Sequence, residues 1–317
     1  MNITRIGCVM VLGRNVKIVA VVVVVIILLL VAMAVTLPPL TSESNSKIQV
    51  VAAENFWGSL VSQLGGVHVQ VTSVVSDPNA DPHEYESNTS TARSFASADL
   101  IIQNGAGYDS WSDKLISAGI KSDCIVLNVA DLLGKKNGDN PHFWYDPDYV
   151  NRTVAQMEAD LISIDPAHSA YYEQQYTNLS VSLAAYQGKS AEIRQSYAGT
   201  RIAGTEDIVQ YLANSTGLDL VSPLAFMQAV AEGNDPPAAS IAQFQDQLQS
   251  GNVSVLVYNL QTVTPITEQM KSLATSNGIQ TVGITETVQP PGMLFQDWMY
   301  SELVTLENAL NAARLAR

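Results

Sequence analysis

The sequence predicts an α/β protein with two lobes, each a central parallel sheet flanked by helices, bridged by one long helix. Two observations lead to this fold class. Short apolar segments alternate with amphipathic ones both before residue 165 and after residue 198, and a single long apolar stripe lies between them. Strands that alternate with helices pair in parallel, and the helices then cover both faces of the sheet.

Residues 47–164 form the predicted N-terminal lobe, in which strand and helix patterns alternate. The lobe starts with the strand "KIQVVAA", and "NFWGSLVSQLGG" follows as an amphipathic helix that a glycine ends. The later segments continue the alternation: strand "VHVQVTSVV", helix "TARSFASA", strand "DLIIQNG", helix "YDSWSDKLISAG" and strand "CIVLNVA".

Residues 165–198 form the predicted linking helix, of about nine turns and roughly 45 Å. Asp165 is the expected N-cap, Pro166 suits the first turn, and Gly199 can end the helix. A coiled-coil dimer would use the same apolar stripe, but tyrosines make a poor dimer seam, so we expect a monomer. The stripe follows a 4-3-4-3 spacing on one helix face: Tyr172, Tyr176, Leu179, Leu183, Tyr186, Ile193 and Tyr197, with Ser190 at the missing step.

Residues 199–317 form the predicted C-terminal lobe, where the alternation resumes. Its strand "VSVLVYN" resembles "DLIIQNG" of the first lobe, since each is an apolar strand with Asn at its end and a helix after it. This similarity suits two lobes of similar plan. The other segments are strand "RIAGT", helix "EDIVQYLANSTG", helix "PITEQMKSLATSNG", strand "QTVGIT" and the closing helix "QDWMYSELVTLENALNAARLA".

Three short segments precede the lobes: a basic stretch at 1–17, an apolar run at 18–37 and a Pro/Ser/Thr-rich tether at 38–46. Basic residues before an apolar run keep the N-terminus in the cytoplasm and send the rest across the membrane. The run is longer than most cleavable signal cores and slightly short of a typical spanning helix. We expect an uncleaved transmembrane anchor, with cleavage after Ala32-Met33-Ala34 as the alternative. Either way, the lobes are expected to be extracytoplasmic.

The formal net charge is −14, and the sequence has no basic stretch that could follow a phosphate backbone. Both features argue against a nucleic-acid partner. An acidic surface attracts cations, although a solvated acidic surface without any ligand explains the charge equally well. Cys124 is the only cysteine after the apolar run, so no disulfide can form within the lobes.

Four residues follow predicted strands closely enough to meet at one place: His83, His142, Glu206 and Glu286. In open parallel sheets, ligands bind outside the carboxyl ends of the strands. One cleft between the lobes can therefore gather two of these residues from each half of the chain. Two imidazoles and two carboxylates can fill the coordination shell of a divalent transition-metal ion such as Zn²⁺ or Mn²⁺.

Each of these residues also has an ordinary structural explanation. A histidine in a loop is more often solvated than bound to a metal. Glu206 at a helix start can be stabilised by the helix dipole, and Glu286 can be an exposed residue before a double-proline turn. The other two histidines, His68 in an alternating strand and His168 in the first turn of the linking helix, are expected to be structural.

Four stretches in order around the long helix resemble a single protein family: "DPHEYE", "NPHFWYDP", "TEDIVQYLANSTGL" and "VGITETVQPPGMLFQDWM". They are similar to the metal-specific solute-binding proteins of ABC importers, of the cluster A-I type. The resemblance spans roughly residues 47–313. It implies that the ion lies between two lobes, and that the protein captures zinc or manganese for a separate ABC permease and its ATPase rather than catalysing a reaction.

The resemblance also implies a ligand set. His83 and His142 match the family's two N-lobe histidines, Glu206 occupies the third ligand place, and Glu286 lies near the final carboxylate, with the register open by a residue or so. The histidine-rich loop, the third histidine and the lipid-anchor cysteine of many members are absent, so zinc and manganese both remain open. Nearby acceptors are predicted to orient the histidines: Asp81, Glu84, Glu86 and Asp146.

Two other classes of function remain open: a membrane-anchored metal-dependent hydrolase, and a metal-stabilised surface or adhesion protein. A hydrolase needs an open coordination position and a nearby general base. Four protein ligands leave no obvious open position, and neither HExxH nor GxSxG occurs. A surface protein would use the ion for stability alone, so loss of His83 would reduce stability without affecting metal uptake.

Overall fold

The computed structural model describes residues 47–78 and 85–316, together with two isolated helical positions, Val23 and Ile26. Apart from those two positions, the apolar run predicted as an anchor (18–37) lies outside the described residues, as does the segment 79–84. Within the described part of the chain, no helix is both long and apolar enough to traverse a bilayer.

The N-terminal sheet has four parallel strands in the spatial order β2-β1-β3-β4. Alternate residues of the first strand belong to different cores: Val50 and Ala52 pack in one, Val51 and Ala53 in another. Helices therefore cover both faces, as predicted for parallel strands. The strands are β1 Ile48–Glu54, β2 Val69–Val75, β3 Leu100–Gln103 and β4 Ile125–Asn128. The helices are α1 Asn55–Gly65, α2 Thr89–Ser97, α3 Ser110–Ala118 and α4 Val129–Leu133.

The C-terminal sheet repeats this plan in the order β6-β5-β7-β8, again with all strands parallel. Val255 and Val257 face one core and Leu256 faces another, so this sheet is also covered on both sides. The strands are β5 Arg201–Gly204, β6 Asp219–Leu220, β7 Val255–Asn259 and β8 Gln280–Ile284. The helices that follow the linking helix are α7 Val209–Thr216, α8 Leu224–Ala231, α9 Ala238–Gln249, α10 Pro265–Ser276 and α11 Phe295–Leu315.

A helix of 29 residues, α6 (Ser169–Tyr197), links the two sheets, with α5 (Pro147–Ile164) before it in the chain. Every residue of the predicted apolar stripe is buried except Tyr176, which is half-buried. The stripe packs in the largest core, which also includes Trp57 of the first lobe and Leu306 of the last helix. The prediction of one long helix along both lobes is confirmed.

The start of this helix differs from the prediction. α6 begins at Ser169, after a 3₁₀ turn over Pro166–His168, and the Asp165 side chain makes no capping hydrogen bond. Asp165 Oδ2 instead accepts a hydrogen bond from the Tyr172 hydroxyl at 2.8 Å and lies 2.7 Å from His168 Nδ1. The expectation that Asp165 caps α6 is wrong, because these two side chains occupy its carboxylate.

Helices α4, α5, α8 and α9 and the two-residue strand β6 were not predicted. The start of α5 carries a recognisable signal, since Asp146 caps it and Pro147 occupies its first position. The other four elements are short or mix apolar and polar residues without a clear period, so they cannot be predicted from local pattern.

Candidate metal centre

Three of the four predicted ligands converge in the structure. One donor atom from each of His142, Glu206 and Glu286 lies within 4.8 Å of the other two. All three side chains are completely buried, at 0% exposure. Buried carboxylates and imidazoles carry a high desolvation cost unless they are paired or bind a cation. This grouping is therefore the strongest candidate for a functional centre in the described part of the chain.

The parallel sheets place these residues. Glu206 follows the end of β5 by two residues, and Glu286 follows the end of β8 by two residues. In both lobes the strand order changes direction between the two central strands, and the crevice that results at their carboxyl ends is a common ligand site. Glu206 is not in a helix, since α7 begins only at Val209.

A rigid aromatic turn from the N-terminal lobe presents His142. The turn continues into a 3₁₀ segment, Phe143–Tyr145, that is entirely buried. The Trp144 ring stacks on Phe56 of α1 with centroids 4.0 Å apart, and it also meets the His142 ring edge-on at 5.3 Å. The flanking aromatic residues of "NPHFWYDP" therefore hold the imidazole in place.

Hydrogen bonds indicate which nitrogen of His142 carries the proton. Nδ1 lies 2.9 Å from Asn140 Oδ1 and 3.3 Å from Asp207 Oδ1, which are both acceptors. Asn140 is oriented by its own Nδ2, which donates to the Asp207 backbone carbonyl at 2.6 Å. Nδ1 is therefore the protonated nitrogen, and Nε2, 3.8 Å from Glu206 Oε1, presents a lone pair towards the two glutamates.

One amide group bridges the two carboxylates. Asn259 Nδ2 at the end of β7 donates to Glu206 Oε2 at 2.9 Å and to Glu286 Oε1 at 2.5 Å. Its Oδ1 accepts the backbone N–H of Gln261, which fixes the orientation of the amide. The second oxygen of Glu286 accepts the Tyr108 hydroxyl from the other lobe at 2.6 Å. The two carboxylates are thus held close together by donors.

The pKa values of the centre reflect this crowding. Burial and the neighbouring charge of Glu286 raise the pKa of Glu206 to about 8. Burial by itself lowers the pKa of His142, but the carboxylates of Asp207, Glu286 and Glu206 raise it above its ordinary value overall. Burial is the main cause of the shift at Glu206, and the neighbouring carboxylates are the cause of the rise at His142.

The remaining predicted residues are distributed differently. His83, Asp81 and Glu84 lie outside the described residues. Glu86 is exposed. The carboxylate of Asp146 accepts the backbone N–H groups of Asp148 and Tyr149, so it caps α5.

Four contact residues were missed by the sequence analysis: Asn259, Asp207, Asn140 and Tyr108. Two of them carried a usable signal. Asn259 ends a strand in the same way as Asn104 of the first lobe, and Asp207 directly follows a predicted ligand. Tyr108 reaches Glu286 across 178 positions of sequence, and no local pattern indicates such a contact.

A second buried network supports the loop that carries Glu286. Glu302 of α11 accepts hydrogen bonds from the Thr285 backbone N–H at 2.9 Å and from Trp298 Nε1 at 3.0 Å. The Tyr145 hydroxyl of the other lobe lies 2.6 Å from Glu302 Oε2 and 2.7 Å from the Thr285 carbonyl. Tyr145 is three residues after His142 and Thr285 directly precedes Glu286, so this network joins two ligand-bearing segments.

Comparison with known proteins identifies similar chains. Residues 50–309 match the profile of the family described as zinc-uptake complex component A periplasmic, ZnuA. The high-affinity zinc uptake system protein ZnuA of Bacillus subtilis is 22% identical over 283 residues, which are 80% of this chain and 84% of that protein. The manganese-binding lipoprotein MntA of Halalkalibacterium halodurans is 28% identical over 137 residues, 42% of this chain. That match spans 45% of the relative's length, less than half of it.

A solved structure has the same architecture. The Mn-bound periplasmic metal binding protein from Candidatus Liberibacter asiaticus superposes with a TM-score of 0.70 at 16% sequence identity, covering 84% of this chain and 100% of that one. At this level of identity the likeness establishes the fold alone. It confirms the predicted arrangement of two parallel sheets with a long helix between them.

Proposed function

The chain belongs to the zinc-uptake complex component A family, as the sequence resemblance implied, and on that premise we propose that it captures a divalent transition-metal ion outside the cytoplasm and delivers it to an ABC-type permease. One observation carries the proposal. His142, Glu206 and Glu286 are fully buried, and their donor atoms lie within 4.8 Å of one another between two lobes. Donors about 2.0–2.2 Å from a common ion require only a small contraction of this arrangement.

His83 is the proposed fourth ligand. Pro78, the last described residue before 79–84, accepts a hydrogen bond through its carbonyl from Gln289 Nε2 at 3.1 Å. Gln289 is three residues after Glu286, so the chain enters the His83 segment beside the loop that carries a proposed ligand. Five residues of chain reach at most about 17 Å, and the proposal requires the centre to lie within that distance of Pro78.

The route of entry follows from an open cleft of about 330 Å³ between the lobes. Tyr108 and Asp207 line this cleft and also contact proposed ligands, so it leads to the centre from one side. Asp139 and Glu232 lie along the same cleft. Their carboxylates would concentrate cations near the entrance.

Metal binding would release the proton of Glu206, and the ion would take over the contacts that the Asn259 amide makes with the two carboxylates. The raised pKa of Glu206, about 8, means that this carboxyl holds a proton at neutral pH before metal binds. A divalent ion favours the ionised form and releases the proton, so affinity is expected to fall as the pH is lowered. Two carboxylates then neutralise the ion, and neutral His142 supplies its Nε2 lone pair.

The alternatives are less well supported. Members of this family are metal-binding transport proteins rather than enzymes, so a hydrolase is not favoured. A purely structural ion would not need the open cleft that reaches the centre. For localisation, we propose that the apolar N-terminal segment attaches the protein to the membrane, and that the permease and its ATPase are separate chains.

Metal content and competitive titration of the metal-free full chain test the proposal. We expect one tightly bound zinc or manganese ion per chain, and the ion that wins in direct competition is the substrate. Binding should be lost in His142→Ala and in Glu286→Gln. Glu192→Gln is the matched control, because it makes the same chemical change at a side chain that is 63% exposed.

His83→Ala tests the fourth ligand separately. A large loss of affinity supports the complete set, whereas unchanged affinity limits the centre to three protein ligands. The function itself is rejected if no tight stoichiometric binding occurs, or if binding persists unchanged in both His142→Ala and Glu286→Gln.

A further inference from the structure

The two histidines expected to be structural meet at a second place in the first lobe. His68 ends the 3₁₀ turn Gly66–His68 between α1 and β2, and His168 ends the 3₁₀ turn that precedes α6. Their rings are in contact and tilted, with centroids 4.0 Å apart and planes inclined by 31°. Residues a hundred positions apart in sequence are thus brought into direct contact.

A carboxylate completes the group. Asp165 Oδ2 lies 2.7 Å from His168 Nδ1, and one donor atom from each of His68, Asp165 and His168 lies within 4.8 Å of the other two. The group is reachable from solvent, since the side chains of His168 and Asp165 are 36% and 23% exposed. Two imidazoles and one carboxylate are donors that borderline divalent ions prefer.

We propose that His68, His168 and Asp165 form a second, solvent-accessible site for a divalent transition-metal ion. Two nitrogen donors and one oxygen donor favour copper(II), nickel and zinc over manganese. Three protein ligands leave at least one position for water. Donors about 2.1 Å from one ion lie roughly 3–4 Å apart. Because the ion must lie in the plane of each imidazole ring, one ring has to turn out of its contact with the other to close the site.

A purely structural explanation of the same contacts makes a different prediction. The Asp165–His168 hydrogen bond and the edge-on contact of His68 with Tyr171, 4.6 Å between centroids, can serve packing alone. In that case the group binds no ion. In a metal site the group binds zinc, and the loss of His68 or Asp165 weakens that binding.

The second site is separate from the centre between the lobes. His68 directly precedes β2, so it lies at the amino end of a strand, whereas the first centre lies beyond the carboxyl ends. A seven-residue strand spans roughly 23 Å, which prevents the two sites from sharing a ligand. The inference therefore does not rest on the proposed transport function. An ion here would tie a turn of the first lobe to the start of the linking helix.

Equilibrium dialysis of the full chain against zinc tests the site. The parent is the double variant His142→Ala/Glu286→Gln, which removes the first centre. We expect this parent to retain one zinc equivalent, and its affinity to fall by more than about tenfold on adding His68→Gln or Asp165→Asn. Tyr171→Phe is the matched control, since it keeps the aromatic contact on His68 and removes no proposed ligand.

Two results would overturn the site: no zinc bound by the parent, or equal affinity in the parent and in His68→Gln. Misfolding is checked separately by introducing His68→Gln alone into the natural chain. That variant should lose only the second, weaker equivalent and keep the tight one. If the natural chain has no tight centre, the parent measurement still decides the second site, so the two proposals fail independently.

Discussion

At the scale of single residues, Asn259 explains how two buried glutamates coexist without a cation. Two ionised carboxylates so close together in a dry pocket would repel strongly. The Asn259 amide directs its two N–H groups at Glu206 and Glu286, and the raised pKa of Glu206 lets that carboxyl keep a proton. The amide therefore partly fulfils the role that a metal ion would take over.

Asn259→Leu should lower the free energy of unfolding of the metal-free chain by about 2 kcal/mol or more, because two buried acceptors lose their donor. Saturating zinc should reduce this deficit, since the ion then compensates both carboxylates. Urea denaturation with and without zinc measures both effects. Thr262→Ala is the control, because Thr262 contacts the Asn259 amide at 3.0 Å without being one of the bridged carboxylates. Equal losses in the two variants would contradict the bridging role.

The hydrogen bonds of the Tyr145 hydroxyl indicate that a second carboxyl, that of Glu302, holds a proton. The Tyr145 hydroxyl has a single proton but lies within hydrogen-bonding distance of both the Thr285 carbonyl and Glu302 Oε2. One of these contacts needs another proton, and a protonated Glu302 supplies it. In agreement, burial raises the pKa of Glu302 to about 7. Glu302 is therefore a neutral hydrogen-bond donor through much of the acidic range.

This shift has a definite consequence for stability. The folded state keeps the Glu302 proton up to a pH of about 7, whereas the unfolded state releases it near 4.5. The stabilising contribution is thus complete below about pH 4.5 and is lost as the pH rises through 7, with a total of about 3 kcal/mol. Glu302→Gln mimics the protonated form and should remove this part of the pH dependence.

Urea denaturation of the metal-free chain at several pH values between 4.5 and 8 compares Glu302→Gln with the natural protein. Glu268→Gln serves as the control, because Glu268 is a half-exposed glutamate of α10. If the natural chain and Glu302→Gln lose stability in parallel over this range, the inference that Glu302 holds a proton is wrong.

At the scale of elements, the two sheets place equivalent strands at equivalent positions. The two sheets have equivalent strand orders, and β3 and β7 each lie third in their sheet. They are also the two segments whose sequences resemble each other. Asn104, directly after β3, accepts a hydrogen bond from Trp57 and donates to the Pro141 carbonyl. Asn259, at the end of β7, bridges two proposed ligands. The same residue type thus organises the ligand-bearing loops of both lobes.

Two helical glycines differ in the space around them, so replacing each by alanine separates the effect of helix propensity from that of packing. Gly188 lies in the exposed part of α6, and a Cβ there would meet no atom within 4 Å. Gly188→Ala should therefore raise the free energy of unfolding by about 1 kcal/mol. Gly58 in α1 is the matched opposite, because its Cβ would clash with Ser73 Oγ. Gly58→Ala should destabilise the chain, and thermal or urea denaturation of both variants checks the signs.

At the scale of the whole molecule, the lobes are joined well beyond the linking helix. The Asn55 side chain forms two hydrogen bonds with the Val288 backbone, and Gln63 and Gln296 exchange hydrogen bonds between α1 and α11. The largest core also contains residues of both sheets. A wide hinge opening would break all of these contacts, so metal binding is expected to order loops more than to rotate lobes.

Hydrogen exchange tests this expectation. Adding metal should slow amide exchange in the loops that carry His142, Glu206 and Glu286, because the ion holds them together. Exchange in β1 and β7 should remain slow both with and without metal, since these strands lie in cores that do not change. A large metal-dependent change in the strands, or in α1 where it meets α11, would indicate a domain closure instead.

The sequence by itself determined the α/β fold, the linking helix, the family and three of the converging residues. Periodicity and strand ends are local properties, and loops at the carboxyl ends of parallel strands necessarily approach one another. Only the tertiary structure decided which groups surround these residues. Tyr108 reaches Glu286 across 178 positions and Asn259 reaches it across 27, and the stacking of His68 on His168 depends on how one turn packs against one helix start. Such contacts follow from the packing of whole elements, which no local pattern encodes.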